Sequence, residues 1–146
     1  MASKPFEAIQ PNLVLVEGHD DKYVIEQLLA SEGITTVQVH AVGSKDRFKP
    51  FLKEESKSEN FEIVRTLCLI ADADDSRDGS LRVLCKALTT ANLQVPSTAG
   101  AFTPGTPSVL IECIPIGRDT GALEDVVLDA IEARDGTLPC WDDLRV

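Results

Sequence analysis

Positive charge is in short supply in this 146-residue chain: 14 Lys and Arg stand against 24 Asp and Glu, a net charge of −10. A protein that grips nucleic acid by neutralising phosphates carries a basic face, so the acidic balance argues against tight, sequence-independent binding of that kind. The four cysteines, Cys68, Cys85, Cys113 and Cys140, form no CxxC pair. His19 and His40 do not stand at zinc-finger spacing either, which removes a zinc module. Cys68 and Cys113 lie within apolar runs, where free cysteine behaves as a small buried hydrophobe. No apolar run approaches the ~20 residues that span a bilayer, and Met1 to Gln10 lacks the basic and apolar regions of a signal peptide. There is no GxxxxGK[ST] loop, so the chain brings no ATPase of its own. What remains is ordinary for a globular protein, 43% hydrophobic and 26% charged. A soluble, cytoplasmic single domain over 1–146 is expected, with an N-terminal extension at 1–11 and a C-terminal tail at 136–146.

Short apolar runs alternate with helical patterns. Asn12 to Glu17 (NLVLVE) is a nearly unbroken aliphatic strand of the type buried on both faces of a parallel sheet. Gly18 breaks it, and His19 or Asp20 can cap a helix that turns Val24, Ile25, Leu28 and Leu29 inward. Val37 to Val42 and Leu67 to Ala71 read as the second and third strands, and Ser108 to Ile116 as the fourth. Helices are expected over Pro50 to Lys57, Arg82 to Leu93 and Leu123 to Ala133, the last with Val126, Val127, Ala130 and Ile131 on one face. Val95 to Pro107 is rich in proline and glycine and reads as turns or a flap. The order β-α-β-α-β-α-β-α predicts a mostly parallel four-stranded α/β sheet flanked by helices.

In open α/β folds chemistry collects at the carboxyl ends of strands, and the acids fall there. The first strand ends in Glu17, with Asp20 and Asp21 in the turn behind it. The third runs into Asp72, Asp74 and Asp75, and the fourth is followed by Glu124 and Asp125. Carboxylates so gathered repel one another, and a hard cation with oxygen ligands, Mg²⁺ or Mn²⁺, removes the conflict. Asp20, Asp74 and Asp75 also suit helix caps, and Glu124 and Asp125 suit a helix N-terminus through the macrodipole. Glu17 and Asp72 end aliphatic strands where a neutral residue would cost less; with Asp74 they point to metal.

At LVLVEGHDD (13–21) and LIADADD (69–75) the sequence resembles a Toprim domain, the metal-binding α/β module of topoisomerases, primases and several nucleases. It is most similar to the branch found in OLD-family (overcoming lysogenization defect) nucleases, whose later acidic motif the IPIG…GALEDVV segment at 114–127 also resembles. The resemblance implies that Glu17 is a metal-linked general acid/base and that Asp72 and Asp74 ligate Mg²⁺. It implies further that Asp21 joins them, with Glu124 or Asp125 candidates for a second ion. Such sites cut phosphodiesters.

A topoisomerase needs a tyrosine nucleophile, and the one tyrosine, Tyr23, sits in the first helix where packing is its expected role. A primase needs more chain than 146 residues provide. Hydrolysis of nucleic acid remains, with a non-catalytic metal-binding module serving a separate ATPase partner as the alternative. For hydrolysis, Lys45, Arg47, Lys49 and Lys53 are candidates to hold the phosphate backbone, and Arg77 to meet a scissile phosphate beside Asp74. Pro50 interrupts the four-residue lysine spacing, so Lys53 and Lys57 are expected on a helix and Lys45 and Lys49 on the loop before it. A receiver-like phospho-acceptor lacks its late strand-end lysine, since Lys86 is the last lysine and lies in a helix. A Rossmann dinucleotide site lacks its glycine-rich turn, which Glu17-Gly18-His19-Asp20 replaces.

Overall fold

A computed structural model describes residues 5–135; the expected tail at 136–146, with Cys140, lies outside the described residues. The four aliphatic runs form one all-parallel sheet in the order β2-β1-β3-β4, with β1 at Asn12–Val16, β2 at Val37–Ala41, β3 at Thr66–Asp72 and β4 at Ser108–Ile114. Four helices alternate with them: α1 (His19–Ser31), α2 (Phe48–Glu55), α3 (Arg77–Thr90) and α4 (Leu123–Asp135). The register sets Leu15 beside Leu69, and Leu69 beside Ile111, so equivalent side chains of neighbouring strands share a face. On one face Leu13, Leu15, Leu67, Leu69, Val109 and Ile111 are buried with Phe48 and Leu52 of α2 and Leu84, Ala87 and Leu88 of α3. Each such aliphatic side chain removed from water contributes about 1.5–3 kcal/mol, so this layer anchors the fold. Among the described residues no helix is long and apolar enough to cross a membrane.

The strand order decides where a crevice forms. The chain leaves β1 in one direction to reach β2, then crosses back over β1 to β3 and continues to β4. Right-handed crossovers therefore carry α1 over one face and α2 and α3 over the other. The connections leaving β1 and β3 diverge at their carboxyl ends, the switch point at which α/β sheets bind ligands.

Helix boundaries depart from the sequence reading where caps decide them. The N-cap of α1 is Gly18, not His19 or Asp20; the Gly18 N–H donates to Asp21 Oδ2 at 3.1 Å. The third helix begins at Arg77, five residues before the expected Arg82, because the Ser76 hydroxyl accepts the Gly79 N–H at 3.0 Å. Ser76 thus takes the capping role open to Asp74 or Asp75. Lys49 lies inside α2 and Lys57 beyond its end, the reverse of expectation. Pro50 falls in the first helical turn, where its missing N–H has no partner to lose.

Helix α1 lies over β2 towards the sheet margin and buries no side chain completely. Leu28 is 60% exposed and Tyr23 64% exposed, so neither packs as expected. On α4, Val127 and Ile131 are likewise exposed. The N-terminal arm covers part of β2: Gln38 accepts the Ile9 N–H at 2.8 Å and donates to the Glu7 carbonyl at 2.9 Å, while Phe6 packs edge-on to His40 and Phe51. The proline-rich stretch is not a free flap. The N–H groups of Gly100 and Thr103 donate to the carbonyls of Ile111 and Val109, each at 2.9 Å, and so lie along the outer edge of β4.

Candidate metal centre

The two acidic motifs meet at the switch point. Glu17 follows the last residue of β1 and Asp72 ends the adjacent β3. The Asp72 N–H donates to Glu17 Oε2 at 2.6 Å, which joins the strand ends across 55 residues of sequence. Asp72 Oδ1 in turn accepts the Leu123 N–H at 3.2 Å, so the first turn of α4 orients it. Asp21 is one helical turn into α1, its carboxylate held at the mouth of the site by the Gly18 N–H.

Asp74 stands on a strained backbone, with φ of 51°. It is locked there by a two-way bridge: its N–H donates to the Gly121 carbonyl at 2.7 Å and its carbonyl accepts the Gly121 N–H at 3.0 Å. Gly121 itself has φ of 125°, and an added Cβ would meet Asp125 Oδ2 at 2.8 Å and Pro115 Cδ at 3.0 Å. Gly121→Ala is therefore expected to lower stability by about 1–3 kcal/mol in denaturant unfolding. Its signal in the sequence was a lone glycine before the last helix.

Electrostatics bears the mark of crowding. Burial pushes the Asp72 carboxyl up to about 7, with repulsion from Asp21, Glu17 and Asp74 adding to it and the Leu123 N–H opposing. Burial also raises Glu17, against the pull of the Asp72 N–H and of Lys45. Asp21 is raised by burial and by its neighbours Glu124, Asp20 and Asp74. Among the described residues the cation drawn into this group is Lys45, whose Nζ donates to Asp74 Oδ2 at 2.8 Å and to Ser80 Oγ at 2.7 Å. Desolvation opposes its charge, but the Asp74 bond and the field of Glu17 together hold it above the usual lysine value.

Glu17, Asp21, Asp72, Asp74 and Lys45 are thus brought together, and Glu124 acts on Asp21 from the neighbouring helix. Asp125 is otherwise engaged: its Oδ2 accepts the Ala122 N–H at 2.9 Å, a helix-terminal role. Arg47, Lys49 and Lys53 are exposed along the turn before α2 and on α2 itself. Arg77 does not face the carboxylates as expected. Its guanidinium pairs with Glu112 and donates to the Cys113 carbonyl at 2.9 Å, at the edge of β4. Sequence alone could not foresee this, because the partner is 35 residues away in a strand that reads as aliphatic. Ser80, also missed, is a buried serine within α3 that carries no motif. Two of the described thiols are poor nucleophiles near neutral pH: burial pushes Cys68 up to about 12 and Cys113 up to about 11.

The donors are hard oxygens, which suit Mg²⁺ or Mn²⁺. Glu17, Asp21 and Asp72 each give one oxygen to a backbone N–H and, among the described residues, leave the other without a hydrogen bond. No three of the described side chains already converge as a cage, and an ammonium stands in for a cation on Asp74. Donor type, crowded charge and the stand-in cation fit a divalent ion that completes its shell with water.

An all-parallel α/β domain with an acidic crevice at its switch point is the class these features define. The chain belongs to the family described as a protein of unknown function, DUF3226, which matches residues 11–144. No curated protein and no solved structure matches it.

Proposed function

We propose that the chain is a divalent-metal-dependent phosphodiesterase that hydrolyses nucleic acid, with the chemistry of a Toprim domain and in the manner of OLD-family nucleases. The observation that carries this reading is the meeting of Glu17 with Asp72 at adjacent strand ends, with Asp21 and Asp74 alongside. Glu17, Asp21, Asp72 and Asp74 would hold Mg²⁺ or Mn²⁺, which polarises a phosphate and supplies hydroxide when bound. The raised carboxyl of Glu17 suits it to exchange a proton with the attacking or leaving oxygen. The Leu123 N–H keeps Asp72 turned into the crevice. Arg47, Lys49 and Lys53, with Lys45 once released from Asp74, offer positive charge for the phosphate backbone, and Glu124 is the better placed of the two α4 acids for a second ion. Binding outside the metal is weak, given a net charge of −10. The same reading puts the protein in the cytoplasm with its substrate.

The purified chain is expected to cut single- or double-stranded DNA or RNA when Mg²⁺ or Mn²⁺ is added, and Asp72→Ala to lose that activity. No cleavage by the wild type, or equal cleavage by the variant, would sink the proposal. One observation favours a module that works only with a separate ATPase partner. Val24 of α1 and Leu123, Val127 and Leu128 of α4 line an apolar groove beside the acids, next to exposed Tyr23 and Leu28. Its signature is Mg²⁺ binding without cleavage until that partner is present.

A further inference from the structure

The Lys45 ammonium sits where a cation belongs. Its partners lie 29 and 35 residues away, yet both contacts are short, 2.8 Å to Asp74 Oδ2 and 2.7 Å to Ser80 Oγ. Ser80 is 3% exposed, and its hydroxyl donates to the Ala73 carbonyl at 3.2 Å, so its lone pairs are left for the ammonium. The Lys45 side chain is 20% exposed against 54% for Asp74. The ammonium therefore lies beneath the carboxylate rather than draped over it from solvent, as in a surface pair of little consequence.

Local structure fixes this position. Beyond β2 the Gly43 N–H donates to the Glu17 carbonyl at 2.7 Å, so the chain turns beside the first acidic motif. Gly43 has φ of 114°, a conformation that favours glycine. A short 3-10 turn at Lys45–Arg47 follows, braced by the packing of α2 on α3. The lysine is thus delivered to the site by the fold and not by a chance side-chain rotamer.

We infer, resting on the metal-centre reading above, that Lys45 is a tethered cation that competes with a divalent ion for Asp74. For Asp74 to give Oδ2 to a metal, the ammonium must let go of that oxygen. Lys45 thereby sets the metal concentration at which the site fills. With one N–H on Asp74 and one on Ser80 the ammonium has a single donor left for a phosphate, so its release from Asp74 frees a second donor and an uncompensated positive charge beside the bound ion.

Mn²⁺ titration by calorimetry tests this at the level of binding, without cleavage. Lys45→Met is expected to bind Mn²⁺ about tenfold more tightly than the wild type, the worth of one charge-assisted hydrogen bond. The gain should vanish when the same change is made in an Asp74→Asn background. An unchanged or weaker affinity in Lys45→Met, or an equal gain in the Asp74→Asn background, overturns the inference. A second readout needs no variant: acetylation of Lys45 in the wild type, followed by mass spectrometry, should rise several-fold on adding Mg²⁺. Constant labelling at a Mg²⁺ concentration that calorimetry shows to be saturating also overturns it. The two levels separate through Asp72→Ala. If that variant loses Mn²⁺ while Lys45→Met gains nothing, only the role of Lys45 falls; if no form binds Mn²⁺, both fall.

Discussion

In chelator at pH 8, Asp72→Asn is expected to be more stable than the wild type, and with Mg²⁺ supplied to lack the proposed cleavage. The opposed signs come from one cause. The native carboxyl is raised from 3.8 to about 7, so the folded chain binds more protons than the unfolded chain between those values. Stability conferred by the protonated form is fully present below about 4 and is lost as the pH climbs through about 7. Asparagine keeps the acceptor for the Leu123 N–H and carries no charge to repel Asp21 and Glu17. The crevice is open to water, which screens the repulsion, so the gain at pH 8 is about 1–2 kcal/mol. Urea unfolding in EDTA at pH 5 and pH 8 measures it, and the gap between the two chains should be smaller at the lower pH. With Mg²⁺ the order is expected to reverse under the proposed metal binding, because an ion that binds only the native wild type would stabilise it by mass action. Cleavage should fall by about a hundredfold or more, since even a hydrogen-bond partner of a metal ligand is worth about 10–100-fold. A variant as active as the wild type removes Asp72 from the centre.

Arg77→Met is expected to cost about 3–5 kcal/mol of stability, the usual loss when one member of a buried ion pair is removed. The Arg77 and Glu112 side chains are 17% and 12% exposed, so the carboxylate left behind has little access to water. Glu112 also accepts the Cys113 N–H at 2.9 Å, and Arg77 donates to the Cys113 carbonyl, so the pair is stitched into β4. Arg77→Met combined with Glu112→Leu should recover part of the loss, because no unpaired charge then remains buried. Thermal or urea unfolding of the single and double variants beside the wild type checks this. Had Arg77 met a phosphate, its removal would lower cleavage and leave unfolding untouched; the expected result is the reverse.

β1 and β3 were legible because they are largely aliphatic runs that end at an acid, Glu17 and Asp72. β1 and β4 begin at the expected residues, and β3 lies within one residue of expectation at each end. Helix starts were less legible, since Ser76 caps across a Gly79 that breaks the apolar periodicity. On α1 the periodicity was real, but among the described residues nothing covers Leu28, which stays exposed. In the site, strand-end position was enough to single out Glu17, Asp72 and Asp74. Charge partners were not, because ion pairing depends on which loops lie close in space. Lys45 and Arg77 both read as phosphate contacts; the fold gives one to Asp74 and the other to Glu112.

The outer edge of β4 has a consequence for how copies of the chain meet. Parallel strands turn alternate residues outward, here Val109, Ile111 and Cys113, and an open row of such amides is a template for another strand. Thr103 engages the N–H and carbonyl of Val109, Gly100 takes the carbonyl of Ile111, and Glu112 and Arg77 satisfy Cys113. A fifth strand can be added beyond β4 only by peeling away the 100–103 segment and the Arg77 guanidinium together. The proline-rich stretch is thus a built-in guard against strand addition, and Arg77 is its last fastening.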